Sequence, residues 1–179
     1  MIKIKQLEDK YNIEGKRVLL RVDFNVPIND GSITESSRIE KVLPTIKSLI
    51  NKKAKIVIIS HLGRPKGKVV PELTLKPIAT KLSSYLNKDV FFLNSIVGEN
   101  VVKKTKETSH GEILMLENLR FFEGEESNSQ SFAKDLSKNA DIYINEAFSC
   151  SHRAHASVSA ITKHIESYAG EMMLKEIIQ

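Results

Sequence analysis

Polar and cationic side chains follow four of the five short apolar runs in this 179-residue sequence. They are Asp23 and Asn25 after the first run, His61, Gly63 and Arg64 after the second, Asn118 and Arg120 after the fourth, and Asn145, His152, Arg153 and His155 after the fifth. If the runs are strands of one parallel sheet, these groups meet beyond the carboxyl ends of the strands, where such folds bind ligands. The pattern then predicts an anion pocket at that edge.

Arginine is prominent at or just beyond the apolar runs. Guanidinium groups bind phosphate and carboxylate oxygens through paired N–H donors, so a cluster of them suits a small, multiply anionic ligand. A single arginine is usually a solvated surface cation. Arg64, Arg120 and Arg153 nevertheless share the same position after a run, and Arg21 and Arg38 also lie at or near such segments. We therefore expect the cluster to bind a ligand.

The apolar runs are rich in branched residues and short enough for buried strands. They cover residues 17–24, 55–60, 90–93, 112–116 and 141–144. Segments with helical spacing lie between most of them, and strands joined by helical crossovers indicate a parallel sheet. The predicted fold class is α/β, a twisted parallel sheet with helices on both faces in a Rossmann-like, three-layer domain.

Three segments are predicted to be helices. After the candidate caps Ser36 and Ser37, apolar residues recur at spacings of three and four and form one helical face. These residues are Ile39, Val42, Leu43, Ile46, Leu49 and Ile50. Pro44 indicates either a kink or the first turn of this helix. The second helix covers residues 76–86 with Pro77 at its start, and the third covers residues 129–138 with Asn128 as its cap.

The segment GRPKGK resembles a phosphate-binding loop but fails its pattern. Gly63 and Gly67 stand one residue too close for G-x-x-x-x-G-K-[ST], and Val69 follows Lys68 where a hydroxyl is needed. The sequence also has no G-x-G, so a dinucleotide loop is missing. No nucleotide site is predicted in this chain.

Cys150 allows two further interpretations, both weak. It could be a thiol nucleophile with His152 or His155 as its base, or join His164 in a metal cluster. No regular C-x-x-C or H-E-x-x-H motif accompanies it, and a lone cysteine is usually a packing residue. A single cysteine cannot form an internal disulfide, which agrees with a reducing compartment.

Composition narrows the class of protein. No run approaches the length of a membrane span, and the amino terminus lacks the apolar core of a signal peptide, so we expect a cytoplasmic protein without a membrane partner. The net charge of +5 indicates an anionic partner without choosing among phosphorylated metabolites, nucleic acid and acidic membranes. Aromatic stacking motifs and a recognition-helix signature are missing, which argues against nucleic acid.

Four segments in this order resemble the signature segments of the phosphoglycerate kinase family. They are KRVLLRVDFNVPINDGSITESSRI, KIVIISHLGRPKGK, GEILMLENLRFFEGEESN and DIYINEAFSCSHRAHAS. The resemblance runs from about Lys16 to the end of the chain, where SYAGEMMLKEI is similar to the helix that leads into the interdomain region. Glu146 stands where the family commonly has Asp, and Ser149 to Ser151 replace a glycine-containing run.

The resemblance implies residue roles around 3-phosphoglycerate or 1,3-bisphosphoglycerate. Asp23 and Asn25 would hold the hydroxyl and neighbouring polar atoms of the glycerate, and Arg38 would reach the phosphoryl group in flight as the catalytic residue. The remaining implied substrate-binding residues are Phe24, Leu62 and Gly63, together with the clamp on phosphate and carboxylate formed by His61, Arg64, Arg120 and Arg153. Arg21 and His152 would support the basic patch.

The resemblance also implies a domain organisation. Residues 1–170 would form the 3-phosphoglycerate-binding domain and residues 171–179 the start of the interdomain helix. ADP or ATP with Mg²⁺ would bind a carboxy-terminal domain absent from this chain, which itself holds no metal or cofactor. The family chain is about twice as long, so this chain is either an excised half or a natural truncation. We expect a monomer that is inactive alone.

Three hypotheses remain open from the sequence. The leading one is a glycolytic phosphoglycerate kinase, of which this chain supplies the acid-substrate site. The second is a stand-alone 3-phosphoglycerate-binding module without catalysis. The third, a nucleic-acid binder that uses the basic surface, has the least support.

Overall fold

The five apolar runs form five of the six strands of one parallel sheet. A computed structural model describes residues 5–178. The strands are β1 (Arg17–Arg21), β2 (Ile28–Asn29), β3 (Ser32–Ile33), β4 (Lys55–Ile59), β5 (Val90–Leu93), β6 (Ile113–Leu116), β7 (Ile142–Asn145) and β8 (Glu166–Ala169). Six of them form a sheet in the order β5-β6-β4-β1-β7-β8, and every pairing within it is parallel. The strands β2 and β3 form a separate antiparallel hairpin.

Helices cover both faces of the sheet, which confirms the predicted fold class. They are α1 (Ser37–Asn51), α2 (Lys76–Leu86), α3 (Glu99–Glu107), α4 (Glu123–Glu126), α5 (Gln130–Ser137) and α6 (Glu171–Ile178). Adjacent strand residues point to opposite faces, so Leu20 lies in the apolar core that includes α1 and α2 residues, whereas Leu19 lies in the core that includes α3 and α5 residues.

The predicted apolar face of α1 is buried. Ile39, Val42, Ile46 and Leu49 lie in the core, and Leu43 and Ile50 pack against it. Ser36 occupies the cap position, but its hydroxyl bonds the Glu40 carboxylate at 2.8 Å instead of a helix amide. Pro44 lies inside α1 and not in its first turn. Because proline has no N–H, the helix lacks one internal hydrogen bond there.

The predicted cap of the third helix was wrong by one residue. Ser129 precedes α5 and its hydroxyl accepts the Phe132 amide at 3.3 Å. Asn128 adopts a left-handed conformation with φ of 53°, and its side-chain oxygen accepts the Ala160 amide at 3.1 Å. Both side chains are good hydrogen bond acceptors, and the turn before the helix places each of them beside a different backbone amide.

Five of the described strands and helices had no counterpart in the sequence prediction: β2, β3, β8, α3 and α4. The helix α6 lies where the resemblance implied one. None of the helices within residues 5–178 combines the length and apolarity that crossing a membrane would require.

Candidate functional site

The four strands followed by polar residues are consecutive neighbours in the sheet, in the order β6-β4-β1-β7. Arg21, the last residue of β1, pairs with Ile59 on one side and with Asn145 on the other. Parallel strands place their carboxyl ends at one edge, so the loops that follow these strands lie side by side. The carboxyl ends of the four central strands therefore lie together, as the sequence predicted.

The loops after β1 and β4 are joined by hydrogen bonds that use Ser60. Its hydroxyl accepts the Phe24 amide at 2.9 Å and donates to the Val22 carbonyl at 2.9 Å. The Asn25 side-chain oxygen accepts the Gly63 amide at 3.0 Å. Sequence reasoning did not assign Ser60 to the site, although its position directly after a strand was a usable signal.

Asp23 lies at the centre of a second group of contacts in the same loop. Its carboxylate pairs with the Arg38 guanidinium at 2.7 Å and accepts hydrogen bonds from the Ser149 hydroxyl and, at 3.0 Å, from the Asn25 amide. Burial opposes ionisation of Asp23, but the hydrogen bonds from Ser149 and Asn25 and the Arg38 charge outweigh it and lower its pKa. Asp23 is therefore a carboxylate that accepts hydrogen bonds at neutral pH. A cavity of about 250 Å³ lies beside Asp23 and Arg38.

Phe24 and Leu62 can reach a ligand only through their backbone. Both side chains are buried in the apolar core, with exposures of 0% and 3%. The Leu62 amide and carbonyl already bond the Asn118 side chain, at 3.2 and 2.8 Å. The Phe24 amide bonds the Ser60 hydroxyl, so both residues have their amides engaged within the protein.

Asn118 and Arg120 connect the loop after β6 to the loop after β4. The fully buried Asn118 also accepts the Arg120 amide at 3.0 Å. The Arg120 guanidinium donates to the Gly63 carbonyl at 2.8 Å, and its Nε atom is buried without a hydrogen bond partner, 4.0 Å from Glu126. This arginine is thus fixed at the sheet edge, and its unpaired donor is unusual for a buried polar atom.

Arg21 and His61 form the innermost part of the site. Arg21 is 1% exposed and donates from a terminal guanidinium nitrogen to His61 Nδ1 at 2.9 Å. Burial, with the charges of Arg21 and Arg120, lowers the pKa of His61 to about 2. His61 is therefore neutral at physiological pH and acts as a hydrogen bond partner, not as a cation.

The remaining predicted site residues lie in solvent. Arg64, His152 and Arg153 are exposed, and within residues 5–178 their side chains make no hydrogen bond or ion pair. Burial is the largest cause that lowers the pKa of Arg120, and the Arg153 charge lowers it as well. Arg153 therefore acts electrostatically on Arg120. Arg38 is also exposed, apart from its ion pair with Asp23. The structure thus joins Asp23, Asn25 and Arg38 in one network and Arg21 with His61 in another. Arg120 bonds the Gly63 carbonyl, and its charge acts on His61.

Among the described residues, Cys150 makes no hydrogen bond to either histidine suggested as its base, His152 or His155. Its sulfur lies 4.0 Å from His61 Nδ1, whereas His152 is exposed. His164 bonds the Gln130 side chain at 3.1 Å. Within the described residues, no three His, Cys, Asp or Glu side chains are grouped so that they could hold a metal ion. The geometry favours a packing role for Cys150.

Glu146 connects the sheet edge to α6. Its carboxylate accepts the Thr45 hydroxyl at 2.6 Å and the Met173 amide at 3.1 Å. Burial raises the pKa of Glu146 although these hydrogen bonds act in the opposite direction. Sequence reasoning noted Glu146 as a departure from the family pattern but gave it no partner, because Thr45 is 101 residues away in the chain.

A larger cavity, about 1070 Å³, lies beside Lys5, Tyr11 and Tyr168. Its lining includes no arginine or histidine. Because anion recognition depends on positioned donors more than on volume, we place the candidate site at the sheet edge.

Comparisons with known proteins identify one family. The family model for phosphoglycerate kinase matches residues 7–179. A phosphoglycerate kinase from Prochlorococcus marinus is 50% identical over 171 residues, which cover 94% of this chain and 42% of that protein. Another from Leptospira biflexa is 49% identical over 176 residues, which cover 98% of this chain and 44% of that protein.

Solved structures give the same result. The crystal structure of phosphoglycerate kinase from Pyrococcus horikoshii has a TM-score of 0.87 and 36% identity, covering 98% of this chain and 44% of that one. The structure from Coxiella burnetii has a TM-score of 0.85 and 38% identity, covering 94% of this chain and 42% of that one. The chain thus spans less than half the length of these relatives.

Proposed function

The chain belongs to the phosphoglycerate kinase family, and from this membership and the geometry of the sheet edge we propose that it supplies the acid-substrate site of a phosphoglycerate kinase of glycolysis and gluconeogenesis. The reaction is reversible phosphoryl transfer between 1,3-bisphosphoglycerate and ADP, giving 3-phosphoglycerate and ATP. One observation carries the proposal. Arg21, His61 and Arg120 come from three adjacent strand ends, and the charges of the two arginines both act on His61.

Charge balance supports this choice of ligand. A phosphomonoester carries about −1.5 to −2 at neutral pH, and the carboxylate of 3-phosphoglycerate adds one more negative charge. In the proposed assignment Arg64, Arg120 and Arg153 bind these anionic groups, with His61 as a neutral donor. The exposed side chains of Arg64 and Arg153 are free to turn towards a ligand.

Asp23 and Asn25 are proposed to hold the hydroxyl and neighbouring polar atoms of the glycerate, with backbone groups of Phe24, Leu62 and Gly63 completing the surface. Arg38 is proposed as the catalytic residue that reaches the transferred phosphoryl group. Its ion pair with Asp23 at 2.7 Å supports a second proposed role for Asp23, that of holding Arg38 near the site.

The proposed chemistry needs no general base. The attacking carboxylate has an ordinary pKa near 4 and is ionised at neutral pH. The site must align the groups, neutralise charge and exclude water, which is the usual requirement of phosphoryl transfer. His61, with its pKa of about 2, suits a hydrogen bond donor and not a proton acceptor.

In the proposed reaction ADP would accept the phosphoryl group and ATP would donate it in the reverse direction, each with Mg²⁺. We assign nucleotide binding to a further domain and not to residues 1–179. Closure of two domains would bring the reacting groups together. We accordingly propose that the chain alone is a cytoplasmic monomer without turnover. ATP consumption by the 179-residue chain in a coupled assay would contradict this.

Calorimetric titration of the chain with 3-phosphoglycerate tests the proposal. We expect weak, saturable binding, and Arg153→Ala should weaken it by about tenfold because one charge-assisted contact is lost. Arg153 is exposed, so its replacement should leave stability almost unchanged. Lys103→Ala on α3 is the matched control and should bind as the parent does.

Two results would count against the proposal. One is the lack of saturation at millimolar 3-phosphoglycerate with a folded parent chain. The other is equal binding by the parent and Arg153→Ala. The alternative, a stand-alone binding module, would be favoured if the chain binds 3-phosphoglycerate normally and its natural reading frame encodes no nucleotide-binding domain.

A further inference from the structure

A chain of hydrogen bonds extends from His61 into the protein interior through residues without an assigned role. Arg21 donates to His61 Nδ1 at 2.9 Å and, through Nε, to the Ser157 hydroxyl at 3.0 Å. The Ser157 hydroxyl donates in turn to the Glu125 carboxylate at 2.5 Å. We call these four residues, His61, Arg21, Ser157 and Glu125, the buried relay.

The direction of every bond in the buried relay is fixed by chemistry. A guanidinium has only donors and a carboxylate has only acceptors. The single Ser157 hydroxyl proton must therefore go to Glu125, while its oxygen accepts from Arg21. By the same rule His61 Nδ1 must be the unprotonated ring nitrogen, so the neutral imidazole carries its proton on Nε2.

Arg21 is buried, and outside the buried relay its described hydrogen bond goes to the Val22 carbonyl. Glu125 and Ser157 are 0% exposed and Arg21 is 1% exposed. A buried guanidinium without compensation is strongly unfavourable, yet among the described residues Arg21 has no carboxylate within ion-pair distance. Glu125 supplies the negative charge through the Ser157 hydroxyl that lies between it and Arg21. The second oxygen of Glu125 accepts the Ser157 amide at 3.0 Å.

The other ring nitrogen of His61 is available to a ligand. Among the described residues, the inaccessible polar side-chain atoms without a partner are Arg120 Nε and Asn139 Oδ1. Within residues 5–178 His61 Nε2 has no hydrogen bond partner, and it is not in that set, so part of its surface reaches solvent although His61 as a whole is 4% exposed. Because the two nitrogens lie on different sides of the ring, Arg21 on Nδ1 directs Nε2 outward.

We propose that Glu125 and Ser157 are positioning residues that hold Arg21 and thereby fix His61 as the Nε2-protonated tautomer, whose N–H donates a hydrogen bond to the bound acid substrate. The substrate part of this inference rests on the proposed function; the tautomer part does not. The neighbours of His61 agree with it. Arg21 and Arg120 disfavour a second proton on the ring, together with His155, whereas Asp23 acts in the opposite direction and Cys150 lies 4.0 Å from Nδ1.

Nitrogen-15 NMR of the imidazole groups in Ser157→Ala tests the proposal. The parent chain should show one neutral, Nε2-protonated form of His61 near neutral pH. Removing the hydroxyl leaves Arg21 Nε and one Glu125 oxygen without a partner, so Arg21 should no longer hold Nδ1 and His61 should exchange between tautomers. Affinity for 3-phosphoglycerate should fall by about tenfold.

Ser83→Ala is the matched control. The Ser83 hydroxyl on α2 donates to the Lys88 carbonyl at 2.7 Å, away from the buried relay. Its loss should change neither the His61 tautomer nor the affinity. If Ser157→Ala fails to fold, Glu125→Gln, which keeps the shape and removes the charge, should give the same mixture of tautomers and the same loss of affinity.

An unchanged His61 tautomer in a folded variant of the buried relay overturns the proposal, as does an unchanged affinity for 3-phosphoglycerate. A parent chain that does not bind 3-phosphoglycerate at all would refute the proposed function instead. In that case the tautomer measurement, which needs no ligand, still decides whether the buried relay acts on His61.

Discussion

Single residues at the sheet edge differ from what their types suggest. A histidine in an anion site is normally expected to contribute positive charge. His61 instead is buried, and burial together with the charges of Arg21 and Arg120 lowers its pKa to about 2, which keeps it neutral. In the proposed site its contribution to binding is therefore a directed N–H group.

This neutrality predicts how stability depends on pH. Unfolded His61 would bind a proton below its ordinary pKa near 6.5, whereas folded His61 does not until about pH 2. The unfolded chain thus binds more protons in this window, so stability is complete above about pH 6.5 and is lost as the pH falls. Between about pH 6 and 5 His61 should remove about 1 kcal/mol from the free energy of unfolding.

Urea denaturation of the parent and of His61→Gln at these two pH values measures the effect. Glutamine can still accept the Arg21 hydrogen bond but does not titrate. His155, whose pKa is also lowered by burial, is present in both chains and cancels in the comparison. Equal pH slopes in the two chains would show that His61 is not held neutral.

The site could be predicted in part from single residues. Asp23, His61 and Arg120 stand where polar residues follow apolar runs, and this position alone pointed to one edge of the sheet, whereas Arg21 lies within the first run. Glu125 and Ser157 carried no such signal. A glutamate among other acidic residues is usually solvated, and Ser157 is 136 residues from Arg21 in the chain.

Among the secondary structure elements, α6 has an unusually specific attachment. The Glu146 carboxylate after β7 accepts the Met173 amide near the start of α6. A carboxylate at this end of a helix also interacts favourably with the helix dipole. A Cβ atom added at Gly170 would lie 2.0 Å from the Glu146 carboxyl carbon, so the approach requires glycine.

Gly170→Ala should therefore destabilise the chain by about 1–3 kcal/mol, the usual cost of overpacking. The measurement is urea denaturation of four chains: the parent, each single variant and the double variant with Glu146→Ala. Once the Glu146 carboxylate is removed, adding Gly170→Ala should cost much less. The same cost in both backgrounds would mean that the contact with Glu146 does not restrict residue 170.

Elements with strong apolar patterns were predictable, and weaker ones were not. The five runs all became strands, and α1 buries the predicted face. Strand β8 has the sequence ESYA, and α3 the sequence ENVVKKTKE, both too polar for the apolar pattern to identify. Strand order depends on pairings between distant residues and could not be predicted from local patterns.

At the scale of the whole molecule, the positive charge has both a general and a local part. The chain carries a net charge of +5, with lysines distributed along its length. Exposed charges more than a Debye length apart are largely screened at physiological salt. Binding of a small trianion should therefore depend on the arginines of the sheet edge and much less on distant lysines.

Raising the ionic strength from about 20 mM to about 300 mM should weaken 3-phosphoglycerate binding by about tenfold. In a Lys103→Gln, Lys106→Gln double variant, which removes two positive charges from α3, affinity and salt dependence should stay close to the parent values. Calorimetry at several salt concentrations measures both. A large loss of affinity in this variant would assign binding to the overall charge of the molecule.

The pairing of β1 with β7 also determines when the pocket can form during protein synthesis. Arg21 leaves the ribosome early, but its strand neighbour Asn145 and its hydrogen bond partner Ser157 are made more than a hundred residues later. Until then the arginine lacks the serine that links it to the Glu125 carboxylate and the strand that covers it. A nascent chain that stops before residue 157 would therefore lack the proposed hold on His61, however much of the sheet it has already assembled.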